Sequence, residues 1–133
     1  MLKKIAMIFF LVLFVLAFQG SLAQTAVNTE VVEMMICTGV QDRVPVGADT
    51  MFLKTVGQLY CYTKVTGAGE SAKISHVWYH NDQEMARVDL NIMADTWRTW
   101  SSKKIVEEWT GNWRVDVVSE SGEVLKSMAF TIQ

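Results

Sequence analysis

From Met85 to Ile92 the chain alternates cleanly, with Ala86, Val88, Leu90 and Ile92 on one side and Arg87, Asp89 and Asn91 on the other. A period of two is the signature of a half-buried strand. Trp113–Ser119 repeats it, Trp113, Val115 and Val117 standing opposite Arg114 and Asp116. Other stretches carry the same β-branched and aromatic chemistry: Val31–Val40, Leu59–Val65, Lys73–His80, Thr96–Ile105 and Val124–Ile132. Turn residues separate them, as in Gly67-Ala68-Gly69, Asn81-Asp82 and Ser121-Gly122. Gln41–Gly47, with the single proline, reads as a loop, and Met51–Val56 as a short strand or a loop. No stretch beyond Ala23 holds a helical period for more than about ten residues. Seven short strands in one domain predict an antiparallel β-sandwich of immunoglobulin-like type, with a small β-barrel as the alternative.

The first residues follow another pattern. Lys3 and Lys4 precede an uncharged apolar run, Ile5–Phe18, which is followed by Ser21-Leu22-Ala23. This is the layout of a secretory signal peptide cleaved before Gln24. As a helix the run would cover about 21 Å, short of a bilayer core of about 30 Å. An uncleaved anchor is the alternative. The expected organisation is a signal peptide over 1–23, a flexible leader over 24–30 and one domain over 31–133, located in the periplasm or secreted.

Export changes the reading of charge and cysteine. Of 12 basic residues, Lys3 and Lys4 leave with the signal, so ten face 14 acidic ones and the remainder carries −4. No basic stripe is visible in the sequence to engage phosphates, which argues against nucleic acid as a partner. No membrane contact is expected beyond the export signal. Cys37 and Cys61 form an even pair in an oxidising compartment, so a disulfide is expected, closing a loop of about 25 residues.

Catalytic chemistry is sparse. His76 and His80 share a strand face but lie roughly 13 Å apart, too far to hold one zinc ion, and no acidic or cysteine cluster completes a site. Ser101-Ser102-Lys103-Lys104 matches the serine-x-x-lysine pattern of penicillin-binding enzymes, yet it falls in a predicted strand and lacks the companion motifs. Glu107 and Glu108 read as solvated loop charges. No cofactor motif is present. The chain reads as a non-enzyme: an exported binding or assembly module of the cell envelope, whose partner is a glycan, a peptide or an envelope protein. The alternative is a small periplasmic hydrolase with an unrecognised site.

Four of the five tryptophans lie between Trp97 and Trp113. Trp78 and Trp113 sit on apolar strand faces and are expected in the core. Trp97 and Trp100 are three apart, so a regular strand sends them to opposite faces. Trp109 stands beside a turn. Trp97, Trp100 and Trp109, rimmed by Arg98, Lys103 and Arg43, form the candidate binding surface, because tryptophan and arginine concentrate at the energetic centres of interfaces.

Several runs carry a resemblance: Cys37-Thr38-Gly39-Val40, Arg43-Val44-Pro45-Val46-Gly47, Leu59-Tyr60-Cys61-Tyr62-Thr63, His76-Val77-Trp78-Tyr79, Trp97-Arg98-Thr99-Trp100-Ser101-Ser102-Lys103 and Glu108-Trp109-Thr110-Gly111-Asn112-Trp113-Arg114-Val115. Together, from about Ile36 to Ile132, they resemble the bacterial domain-of-unknown-function family numbered 2914. The resemblance implies an exported or membrane-tethered accessory domain and no particular reaction.

Overall fold

The computed structural model describes residues 28–69 and 71–133. The expected signal peptide and the first part of the leader lie outside them. The described residues form ten strands and no helix: β1 (Glu30–Cys37), β2 (Gly39–Gln41), β3 (Val44–Val46), β4 (Met51–Phe52), β5 (Gln58–Thr66), β6 (Ala72–His80), β7 (Gln83–Ile92), β8 (Thr96–Lys104), β9 (Gly111–Ser119) and β10 (Val124–Ile132). Seven are long, and β2, β3 and β4 are two or three residues each. One sheet has the order β1-β5-β8, the other β4-β10-β9-β6-β7, and β2-β3 stand as a separate hairpin. The fold is a β-sandwich, not a closed barrel. Its pairings are antiparallel except for the short parallel contact of β4 with β10. The fourth long strand, β7, pairs with the third, β6. In constant-type immunoglobulin domains that strand sits in the other sheet.

Alternation builds the core. Leu59, Cys61 and Val65 of β5 face Trp113, Val115 and Val117 of β9, with Ile36 of β1, Ile74 and Trp78 of β6 and Phe130 of β10 in the same buried cluster. Trp78 and Trp113 are both buried, as their strand faces predict. Aromatic rings close one end of the sandwich. Phe130 meets Trp78 edge-on at 6.3 Å and stacks near Trp113 at 5.9 Å, while His80 stacks on Trp113 at 4.7 Å.

Two hairpins turn on residues with positive φ. Asn81 (φ 48°) and Asp82 (φ 63°) link β6 to β7, and Asp42 (φ 50°) and Arg43 (φ 63°) link β2 to β3. Two consecutive left-handed residues match the right-handed twist of paired strands. The stretch read as a loop is therefore half hairpin, with Pro45 opposite Val40. Gly67 (φ 77°) must be glycine, because a Cβ there would collide with the carbonyl oxygen of Asn28. The leader thus meets the domain earlier than expected, and β1 already starts at Glu30.

The expected Cys37–Cys61 disulfide is not formed, and both thiols are free and buried. Register is the reason. Cys37 opposes Tyr60 and Ile36 opposes Cys61, so the two cysteines leave opposite faces of the sheet. Cys61 enters the core. Cys37 points outward, donating to the carbonyl of Tyr60 at 3.8 Å and lying against the backbone of Gly39 and Val46. Burial pushes both thiols above the usual cysteine range, and the neutral thiol is a poor nucleophile. Native protein at neutral pH is expected to resist alkylation, and protein unfolded without reductant should take up two alkyl groups. Recovery of a linked Cys37–Cys61 peptide would overturn this.

Candidate functional site

The structure disperses the candidate tryptophans. Trp97 and Trp100 do take opposite faces of β8. Trp97 opposes Val65 and packs half-buried against the core, near the end of the strand tied down by the Gly67 N–H donating to Asp95 O at 3.0 Å. Trp109 packs at the other end. Its ring lies 6.2 Å from Trp113, its carbonyl accepts the Trp113 indole N–H at 2.8 Å, and the Lys103 ammonium caps it at 4.8 Å. Trp97 and Lys103 are six strand residues apart, roughly 20 Å. One continuous patch of Trp97, Trp100 and Trp109 therefore does not exist. Trp109 and Lys103 seal the aromatic end of the sandwich. Arg43 sits exposed at the β2–β3 turn, with no ion pair or side-chain hydrogen bond among the described residues.

Trp100 and Arg98 remain, side by side on the outer face of the three-stranded sheet. Register defines their neighbours. Met35, Tyr62 and Trp100 form one row across β1, β5 and β8, and Glu33, Lys64 and Arg98 form the next. Trp100 is 37% exposed, whereas Tyr62 beside it is 1% exposed although it stands on an outward face. Its hydroxyl is shifted above the usual tyrosine range by that burial, with Arg98 pulling it down and Glu33 pushing it up. Tyr62 is the member of this face that sequence reading missed. Its outward position is visible in the alternation of β5, but its pairing with Trp100 is not.

The outer face of the other sheet is built differently. Arg114 bridges Asp82 at 2.6 Å and Asp116 at 3.2 Å, and its guanidinium lies 4.1 Å from the centre of the Tyr79 ring. Ser127 donates to Asp116 at 2.5 Å and Ser75 to Asp89 at 2.6 Å. A shallow depression of about 390 Å³ lies here, with Tyr79, Asn81, Asp82 and Arg114 in its lining. Its charges already satisfy one another.

Between the sheets runs a buried polar network centred on His76. His76, 0% exposed, places Nδ1 2.6 Å from Ser101 Oγ and Nε2 3.2 Å from Thr63 Oγ1. Trp78 Nε1 donates to Ser101 Oγ at 3.1 Å, and Thr63 Oγ1 donates to Thr99 O at 3.5 Å. Donor counting fixes the protons. Thr63 gives its proton to Thr99 O and so accepts from His76, which leaves Nδ1 to accept from Ser101, whose oxygen also takes the Trp78 N–H. His76 then carries its proton on Nε2 and donates to Thr63. Every group has a partner, and no buried side-chain N or O among the described residues is unsatisfied. Burial lowers the His76 pKa to about 4, so the ring is neutral. The Ser–His spacing suits a nucleophile and base, but both groups are sealed in the core. Ser101 lies on a strand and turns inward while Lys104 is exposed, so the serine-x-x-lysine pattern builds no site. Glu107 and Glu108 sit exposed in a turn closed by Trp109 N–H donating to Val106 O at 3.0 Å.

The Trp97–Lys103 run is strand β8, and Trp109–Val115 leads into β9. Residues 71–132 match the family model described as protein of unknown function (DUF2914). The DUF2914 match spans β6 to β10 and contains Trp97, Arg98, Trp100, Lys103 and Trp109. The resembling pieces around Cys37, Arg43 and Leu59 lie before it. No curated protein matches the chain. Among solved structures, a β-glucosidase from Kluyveromyces marxianus resembles it with 11% identity and a TM-score of 0.46, over 79% of this chain and 14% of that one. The chain thus spans a small part of that enzyme's length.

Proposed function

We propose that this DUF2914-containing chain is an exported, non-catalytic binding module of the cell envelope, periplasmic or secreted, and that its contact surface is the outer face of the β1-β5-β8 sheet around Trp100 and Arg98. The supporting observation is the contrast between the two outer faces. On one, Arg114, Asp82, Asp116 and Ser127 neutralise and bond one another. On the other, the exposed Trp100 is the cross-strand register partner of the buried Tyr62, and Arg98 and Lys64 make no ion pair among the described residues. Tryptophan beside an uncommitted arginine is the composition enriched at the energetic centres of interfaces. The sealed Ser101–His76 pair favours this reading over a hydrolase.

The test is site-specific photo-crosslinking in cells. A photoreactive residue replacing Trp100 should give a discrete adduct, and one replacing Arg87 on the opposite sheet should not. Trp100→Ala should lose the partner while changing stability by less than about 1 kcal/mol, as expected for a partly exposed side chain. Equal adducts from both positions, none from position 100, or an unfolded Trp100→Ala protein would defeat the proposal.

A further inference from the structure

A sandwich of two open sheets has four edges, and three of these are irregular or covered. β1 shifts register against β5 between Val31 and Glu33. β7 meets β6 through an irregularity at Trp78/Tyr79. β10 shifts against β9 between Val124 and Lys126 and carries β4 along its end. Bulges and short covering strands are the usual means by which an edge is kept from recruiting another strand. β8 has neither. It pairs with β5 without interruption from Gln58↔Lys104 to Thr66↔Thr96, and no described strand pairs with its other side.

What β8 has instead is charge of one sign. Between Thr96 and Lys104 it carries Arg98, Lys103 and Lys104 and no acidic residue, in a chain whose acidic residues outnumber its basic ones. None of the three forms an ion pair among the described residues. β7, the neighbouring edge, carries both signs, with Glu84, Arg87 and Asp89 along it and Arg87 3.8 Å from Asp89. Like charges repel a second copy of the same edge, which guards against self-association. They attract a strand of opposite sign.

We propose that β8 is a strand-addition site for an extended acidic peptide segment of a partner protein, a mode that rests on reading this face as the contact surface. In such recognition the main chain supplies affinity and alternate side chains supply selectivity. The outward residues of β8 are Arg98, Trp100, Ser102 and Lys104. An antiparallel strand whose first residue opposes Lys104 brings its fifth residue to Trp100 and its seventh to Arg98. The preferred segment is therefore acidic at positions one and seven and apolar at five, with positions two, four and six turned to the other side.

The probe is the capped heptapeptide Glu-Thr-Thr-Thr-Val-Thr-Glu, titrated into the purified protein while backbone amide exchange is followed. Exchange should slow along β8 and not along β7. Replacing both glutamates by lysine should weaken binding by about tenfold, the scale of two exposed pairs turned from attraction to repulsion. N-methylation of alternate peptide residues should abolish binding. The Arg98→Glu/Lys104→Glu double variant should reverse the preference between the two peptides. Unslowed β8 exchange at any peptide concentration overturns the proposal, as does an N-methylated or lysine peptide that binds equally well. A crosslink from position 100 alongside failure of these peptides would keep the contact face and remove strand addition.

Discussion

Truncating Trp78 to alanine is expected to destabilise the domain by about 3–5 kcal/mol, the range for large aromatic side chains removed from a packed core. Trp113→Ala should fall in the same range. Trp78 is fully buried and meets Phe130 edge-on, and its indole N–H is held by Ser101. Its loss leaves a cavity between the sheets and removes one donor from the polar network. Trp113 is packed among His80, Trp109 and Phe130 and donates to Trp109 O, so its removal opens the aromatic end. Typical domains hold only about 5–15 kcal/mol in total. Either substitution should therefore move the denaturant midpoint far down or abolish folding. Trp100→Ala, measured beside them, should leave the midpoint close to wild type. A Trp78→Ala midpoint near wild type would mean that the core is not centred where the alternation of β6 puts it.

Those two core tryptophans were legible because alternation is local. So were the strand content, the general sandwich architecture and the opposed faces of Trp97 and Trp100. What could not be read depends on register between strands distant in sequence. The cysteines show this most sharply. An even cysteine pair behind an expected export signal points to a disulfide, yet a pairing offset of one residue sends Cys37 outward and Cys61 inward. Closeness in sequence also misled. Trp97, Trp100 and Trp109 form a cluster along the chain, but an extended strand is the geometry that separates near neighbours most, by distance and by face. The partners that replace them come from elsewhere: Tyr62 and Lys64 on β5, Met35 on β1. The β2–β3 hairpin escaped notice because its residues are largely exposed, so no buried face imposes a pattern, and Pro45 reads as a loop residue. A proline is compatible with so short a hairpin outside the main sheets.

The His76 network makes the protein's response to acid predictable. A histidine that gains an acidic partner on folding has its pKa raised, and it stabilises the fold at low pH. His76 is the reverse case. Its neighbours Ser101, Thr63 and Trp78 are neutral, and burial lowers its pKa to about 4, against 6.5 in an exposed chain. Between those values the unfolded chain binds the proton and the folded one does not, so stability falls as the pH falls. The contribution is fully present above about pH 6.5, declines through the interval and levels off below about pH 4, amounting to roughly 3 kcal/mol at 1.36 kcal/mol per pKa unit. Protonation also breaks the donor pattern, because a charged ring must donate from Nδ1 to a serine that has no other described acceptor for its own proton. His76→Gln isolates the effect, since an amide can still meet hydroxyls but cannot titrate. Denaturant unfolding of both proteins at pH 7 and pH 4 should show the stability gap between wild type and variant shrinking by about that amount. Nitrogen shifts of the ring should report the Nε2–H tautomer at neutral pH. A gap that does not change with pH would show that the ring is not held neutral between the sheets, and the clamp joining β6 to β5 and β8 would have to be assigned to other contacts.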